Sequence, residues 1–123
     1  MTDTKMRELD AWIEENVFGL PVDWEAGRRK HGPGFLWFIK GENGQPNRCE
    51  VVKNYCTDPA ASFDLLKKLS EDHDIVVRRG NGRPDGEEFY VHRLTAYGSM
   101  DFTTGANTLE LAIALFAKKL HSK

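Results

Sequence analysis

The sequence predicts an α+β fold: three helices and a mainly antiparallel sheet of about four strands, in the order helix, hairpin, helix, hairpin, helix. Three observations predict it. Apolar residues recur at steps of three and four in three separate segments, the spacing of helices with one buried face. Between these segments lie pairs of short apolar or β-branched runs joined by glycine-rich turns, the pattern of hairpins. Neither a linker nor an internal repeat divides the 123 residues, a length that suits one domain, so the expectation is a single domain over 1–123.

The first helix is expected over residues 5–18. Met6, Leu9, Ile13 and Val17 form its stripe, and Trp12 widens it. Thr2, Asp3 and Thr4 are competent caps, Gly19 suits a left-handed stop, and Pro21 prevents continuation. Residues 20–34 read as a loop carrying Trp24, Gly27 and the basic run Arg28, Arg29, Lys30, His31. Phe35, Leu36, Trp37, Phe38 and Ile39 are apolar on both strand faces, which predicts an interior strand. Asn43-Gly44 then tolerates the positive φ angles of a tight hairpin turn, and the returning strand spans about 48–53.

A second helix opens at Thr57-Asp58-Pro59. Either Thr57 or Asp58 can accept a hydrogen bond from the free amides of the first turn, and Pro59 at the first helical position sacrifices no bond. Ala61, Leu65 and Leu69 recur at a spacing of four, with Leu66 beside them. Ile75-Val76-Val77 is a short strand, and residues 78–86 form a long turn with Arg78, Arg79 and Arg83. Residues 88–95 return as a strand with Phe89 and Val91 on one face and Tyr90, His92 and Leu94 on the other. Residues 96–106 alternate poorly and read as an irregular connection. The last helix is expected to start at Asn107 with Glu110 closing a capping box. Leu109, Ala112, Ile113, Phe116 and Leu120 make its inward face, and Leu111 and Leu115 leave its middle apolar nearly all round. That surface predicts a homo-oligomer formed through the C-terminal helix.

Tyr55-Cys56-Thr57-Asp58-Pro59-Ala60-Ala61, followed by Leu65-Leu66 and Leu69, resembles the "Y-S-T-D-x-A-A" helix opening of the phage ABA sandwich domain proteins. Leu111-Ala112-Ile113-Ala114-Leu115-Phe116-Ala117 resembles that family's terminal "A-I-C-L-A-A-L" helix, and Leu9-Asp10-Ala11-Trp12-Ile13 through Val17-Phe18-Gly19 resembles its first. Cys56 stands where the family carries Ser, and Ala114 where its last helix often carries Cys. The resemblance implies an α-β-α layered sandwich and a phage or prophage origin, hence the cytoplasm of a bacterial host. It supplies no activity and no catalytic residues.

Composition narrows the function classes. A net charge of -2 argues against a globally basic nucleic-acid binder. No apolar run approaches the roughly 20 residues that span a bilayer, and the first residues do not open a signal peptide. Cys49 and Cys56 make no disulfide scaffold, and with His31, His73, His92 and His121 scattered, no metal-ligand spacing exists. Neither metal nor cofactor is expected. Nucleophilic catalysis by Cys56 with His92 or His73 is conceivable, but capping explains the motif without it. Residues 80–86 lack the Walker lysine pattern and join two strands, so they do not make a phosphate loop.

Electrostatics remain. Arg78, Arg79 and Arg83, with Arg28 and Arg29 in the earlier loop, are candidates to hold an anion, and Trp24 is the candidate to stack on a base. The expected function is that of a phage accessory protein acting by binding, to a host protein or to a small anionic ligand such as a nucleotide, and so counteracting host defence. A small enzyme acting on a nucleotide or peptide and a phage assembly protein are the alternatives.

Overall fold

The computed structural model describes residues 2–28, 34–40, 46–80 and 86–122, with backbone alone at 39–40 and 46–48. The chain forms two compact units, Met1–Asn54 and Tyr55–Lys123. Among the described residues there are four helices and two separate three-stranded antiparallel sheets. This corrects the expectation of three helices over one sheet of about four strands, and with it the single-sheet α-β-α sandwich.

In the first unit, helix α1 spans Asp3–Asn16. The Thr2 hydroxyl accepts from the Lys5 amide at 3.2 Å, and Gly19 takes φ +71° just past the end, as its missing Cβ allows. Leu9 and Ile13 are buried, and so are Asp10 and Glu14 on the same helix. Strand β1 is only Val22–Asp23, and it leads directly into a one-turn helix α2, Trp24–Arg28. Both lie inside the segment expected to be a loop. The local cause is Asp23, whose carboxylate accepts from the amides of Glu25 and Ala26 at 3.0 and 3.2 Å.

Strand β2, Leu36–Lys40, sits between β1 and β3, Pro46–Val51. Its pairing with β3 runs Leu36↔Val51 through Phe38↔Cys49, with a register shift at Ile39/Lys40. The expected hairpin is therefore present, while its Asn43-Gly44 turn lies outside the described residues. The expected two-sided cover is only partial, since Leu36, Trp37 and Phe38 are half-buried. The core of this unit gathers Ala11, Phe35 and Val52, with Val22, Trp24 and Trp37 packed against them.

Arg7 ties α1 to the end of β3. Its guanidinium donates to the Asp10 carboxylate at 2.9 Å, to the Val52 and Lys53 carbonyls at 2.9 and 3.2 Å, and to Asn54 Oδ1 at 2.7 Å. Glu14 accepts from the Lys53 amide at 3.3 Å. Two acidic residues inside the apolar face of α1 are thus explained by the chain end they hold.

The second unit opens with helix α3, Pro59–Leu69, where Asp58 rather than Thr57 is the cap and accepts from the Ala60 amide at 3.1 Å. Ala61, Leu65 and Leu69 are buried as the spacing predicts. Strands β4, Asp74–Arg79, β5, Phe89–Leu94, and β6, Met100–Ala106, form the sheet in that order. β6 replaces the irregular connection expected at 96–106. Its alternation is broken by a bulge: Val91 faces Thr104 and Arg93 faces Asp101, so Phe102 and Thr103 together oppose His92. Phe102 takes φ +50° there.

Helix α4, Leu109–His121, is capped by the Thr108 hydroxyl, which accepts from the Leu111 amide at 3.3 Å, not by the Asn107–Glu110 box. It packs on β5 and β6 with one side and meets α3 with another. Two neighbours within the unit account for its nearly all-round apolar middle: Ala112, Ile113, Ala114, Phe116, Ala117 and Leu120 are buried, and Leu111 and Leu115 are half-buried.

Candidate functional site

In the first unit an open cleft of about 670 Å³ is lined by Thr4 and Glu8 of α1, Trp24, Gly27 and Arg28 of α2, and Phe35. That volume lies within the range of small-ligand sites. Thr4 and Glu8 are four residues apart on α1, so they stand one above the other on a single face. The Trp24 indole is oriented at both ends. Its Nε1–H donates to Glu15 Oε2 at 3.0 Å, and its ring meets Phe35 edge-on with centroids 5.0 Å apart. Gly27 is required by this packing, because a Cβ there would overlap the Phe35 ring. Arg28 pairs with Glu25 at 3.1 Å, but both side chains are 68% exposed, so the pair is weak and the guanidinium is available to a ligand.

Of the residues singled out from sequence, the structure brings Trp24 and Arg28 together on this cleft. Arg29 and Arg83 lie outside the described residues. Arg78 and Arg79 do not converge: they are successive residues of β4, and their side chains leave opposite faces of the sheet. Arg79 pairs with Glu88 at 3.1 Å, exposed. Arg78 donates from Nε to His92 Nε2 at 2.9 Å and lies over the Tyr90 ring, 4.6 Å from its centroid.

The Arg78 contact decides the chemistry of His92. With Nε2 accepting, the proton sits on Nδ1, which donates to Thr103 Oγ1 at 2.8 Å; the bulge in β6 is what places that hydroxyl opposite the ring. Burial, then the neighbouring Arg78 charge, holds the imidazole below its ordinary pKa, so it stays neutral. A general base for Thr103 would need a free Nδ1 lone pair and a carboxylate behind Nε2. The arrangement is the reverse, and it serves as a polar tie across the sheet. Gly105 completes it, since a Cβ there would meet the Tyr90 ring at 2.9 Å.

The Cys56–His92 pair is not formed, because both ring nitrogens of His92 have other partners and Cys56 is buried. A second, smaller cleft of about 310 Å³ in this unit is lined by Asp72, His73, Asp74 and residues 93–96. Its one arginine, Arg93, is held by both carboxylate oxygens of Asp101 at 2.8 and 2.6 Å and lies over the Phe102 ring. Among the described residues no cluster of His, Cys, Asp and Glu is placed to hold a metal ion. No described helix is long and apolar enough to cross a membrane.

The cleft residues other than Trp24 and Arg28 escaped sequence reasoning. Asp23 followed by Trp24-Glu25-Ala26 is a cap pattern that signals α2, but nothing local announces that Thr4 and Glu8 meet it.

No family model and no curated protein matches the sequence, so membership of the phage ABA sandwich family is not confirmed. The fold is similar to that of a phage protein from Bacillus cereus ATCC 14579 known from a 2.0 Å crystal structure. The TM-score is 0.63 at 17% identity, over 95% of this chain and 87% of the other. At that identity the likeness is one of fold.

Proposed function

We propose that this chain is a small phage-encoded accessory protein that acts by binding, and that the cleft of the first unit takes a nucleotide or a related phosphorylated aromatic ligand. One observation carries the binding reading: Trp24 and Arg28 line one cleft of about 670 Å³. A base has a π-face for the indole, which is already fixed by Glu15 and Phe35, and stacking of this kind is tolerant of sequence and worth about 1–3 kcal/mol per base. A phosphate has the charge and the paired oxygens that a guanidinium matches bidentately. The fold shared with a phage protein supports the phage setting, and interference with a host nucleotide signal is the role that such a ligand suggests.

The test is calorimetry of the full chain with nucleoside monophosphates, alone and as Arg28→Ala. Arg28 is exposed, so the variant should melt with the native chain and lose at least tenfold in affinity. Undiminished binding in Arg28→Ala would move the phosphate elsewhere, and the absence of binding to every nucleotide would end the reading.

A further inference from the structure

Among the described residues, the polar groups that line the cleft are distributed unequally between its two helices. α1 contributes the Thr4 hydroxyl and the Glu8 carboxylate, both on exposed residues, while α2 contributes the Arg28 guanidinium. Of the neighbouring carboxylates, Glu15 is engaged by the Trp24 indole, and Glu25, which shares a weak exposed pair with Arg28, does not line the cleft. A ligand complementary to this lining presents an anionic end to α2 and a donor-rich edge to α1. We infer that Glu8 makes the cleft selective for guanine among the nucleobases, an inference that rests on the nucleotide-binding reading above.

The reason is the donor pattern along each base edge. An ionised carboxylate only accepts, and its two oxygens accept best from two parallel N–H groups. Guanine offers such a pair, N1–H beside the exocyclic N2–H. Adenine places the lone pair of N1 beside its N6 donor, and cytosine places that of N3 beside its N4 donor. One carboxylate oxygen would then face a lone pair. Uracil has a single N3–H flanked by two carbonyl oxygens, so it offers one bond and two repulsions. A site that hydrogen-bonds a donor rejects the analogue lacking it more strongly than a purely apolar pocket rejects a shape change, because its own polar group is left unpaired. Trp24 supplies affinity for any base, and among the described lining residues the choice falls to Glu8. Thr4, one turn away on the same face and both donor and acceptor, tolerates every base.

The experiment titrates the full chain with GMP, AMP, CMP and UMP by calorimetry, then repeats it with Glu8→Gln. GMP should bind at least tenfold tighter than the other three. An amide offers one acceptor and one donor, which matches the N6 donor and N1 acceptor of adenine. Glu8→Gln should therefore lose at least tenfold for GMP and bind AMP as tightly as GMP or tighter. Because Glu8 is exposed, the variant should melt with the native chain. Equal binding of GMP and AMP to the native chain, still dependent on Arg28, would overturn the guanine selection and leave the cleft reading standing. An unchanged GMP preference in Glu8→Gln would remove Glu8 as the selector. Failure of all four nucleotides to bind would end both.

Discussion

Replacing Arg7 by Ala should be among the most damaging polar substitutions in the first unit, and its size can be argued from contacts. The guanidinium makes four hydrogen bonds: one to Asp10, two to main-chain carbonyls and one to Asn54. The Asp10 side chain is 2% exposed, whereas that of Arg7 is 24% exposed. Removing one partner of a fully buried ion pair costs about 3–5 kcal/mol. Partial solvation of Arg7 reduces that figure, and the Asn54 and Lys53 acceptors are exposed enough for water to replace the lost donor. We expect about 2–3 kcal/mol, close to the range for hydrogen bonds to charged groups with one buried acceptor. Urea denaturation should read it as a lower midpoint at an unchanged slope. Arg7→Lys keeps the charge but not the fork and should lose about 1 kcal/mol. In a cycle with Asp10→Ala, the coupling should be about 1–2 kcal/mol. An Arg7→Ala variant within 0.5 kcal/mol of the native chain would show that the end of β3 holds to α1 without this clamp.

Two further outcomes follow from the second unit. Asp58→Ala should destabilise by about 1 kcal/mol, the scale of a lost N-cap, while Thr57→Ala should stay within about 0.5 kcal/mol, as differential melting will show. The folded-state pKa of His92 lies below its unfolded value, so the unfolded chain binds the extra proton between the two. Stability from this residue is therefore complete above the unfolded value near 6.5 and is lost as pH falls through the folded one. Melting between pH 7.5 and pH 5 should decline more steeply for the native chain than for His92→Gln, and parallel curves would contradict the assignment of a neutral, Arg78-bonded imidazole.

Helices with local signals were legible from their residues alone. Asp58-Pro59 with Ala61, Leu65 and Leu69 specifies where α3 starts and which face it buries, and Gly19 specifies where the chain turns after α1, because caps, stripes and positive φ are settled within a few residues. The two-residue period also put Tyr90 and His92 on one face of β5, where their rings stack with centroids 6.4 Å apart, although burial along the strand does not alternate. Other features depend on pairing and packing between elements. β1 is two residues long and exists through its pairing with β2, so no periodicity could reveal it. β6 was hidden because the bulge at Phe102 and Thr103 breaks the two-residue period on which strand reading depends. With these two strands the described residues hold six, and that the two runs of consecutive strands form separate sheets instead of joining edge to edge is something hairpin turns are silent on. The fate of each arginine was likewise undecided: Arg78 and Arg79 are identical in type and adjacent in sequence, yet the pleat sends one to His92 and the other to Glu88. Trp24 and Arg28 were visible as candidates, but only folding sets them beside Glu8, because the groups of a binding site converge from elements whose contact is not encoded in their spacing.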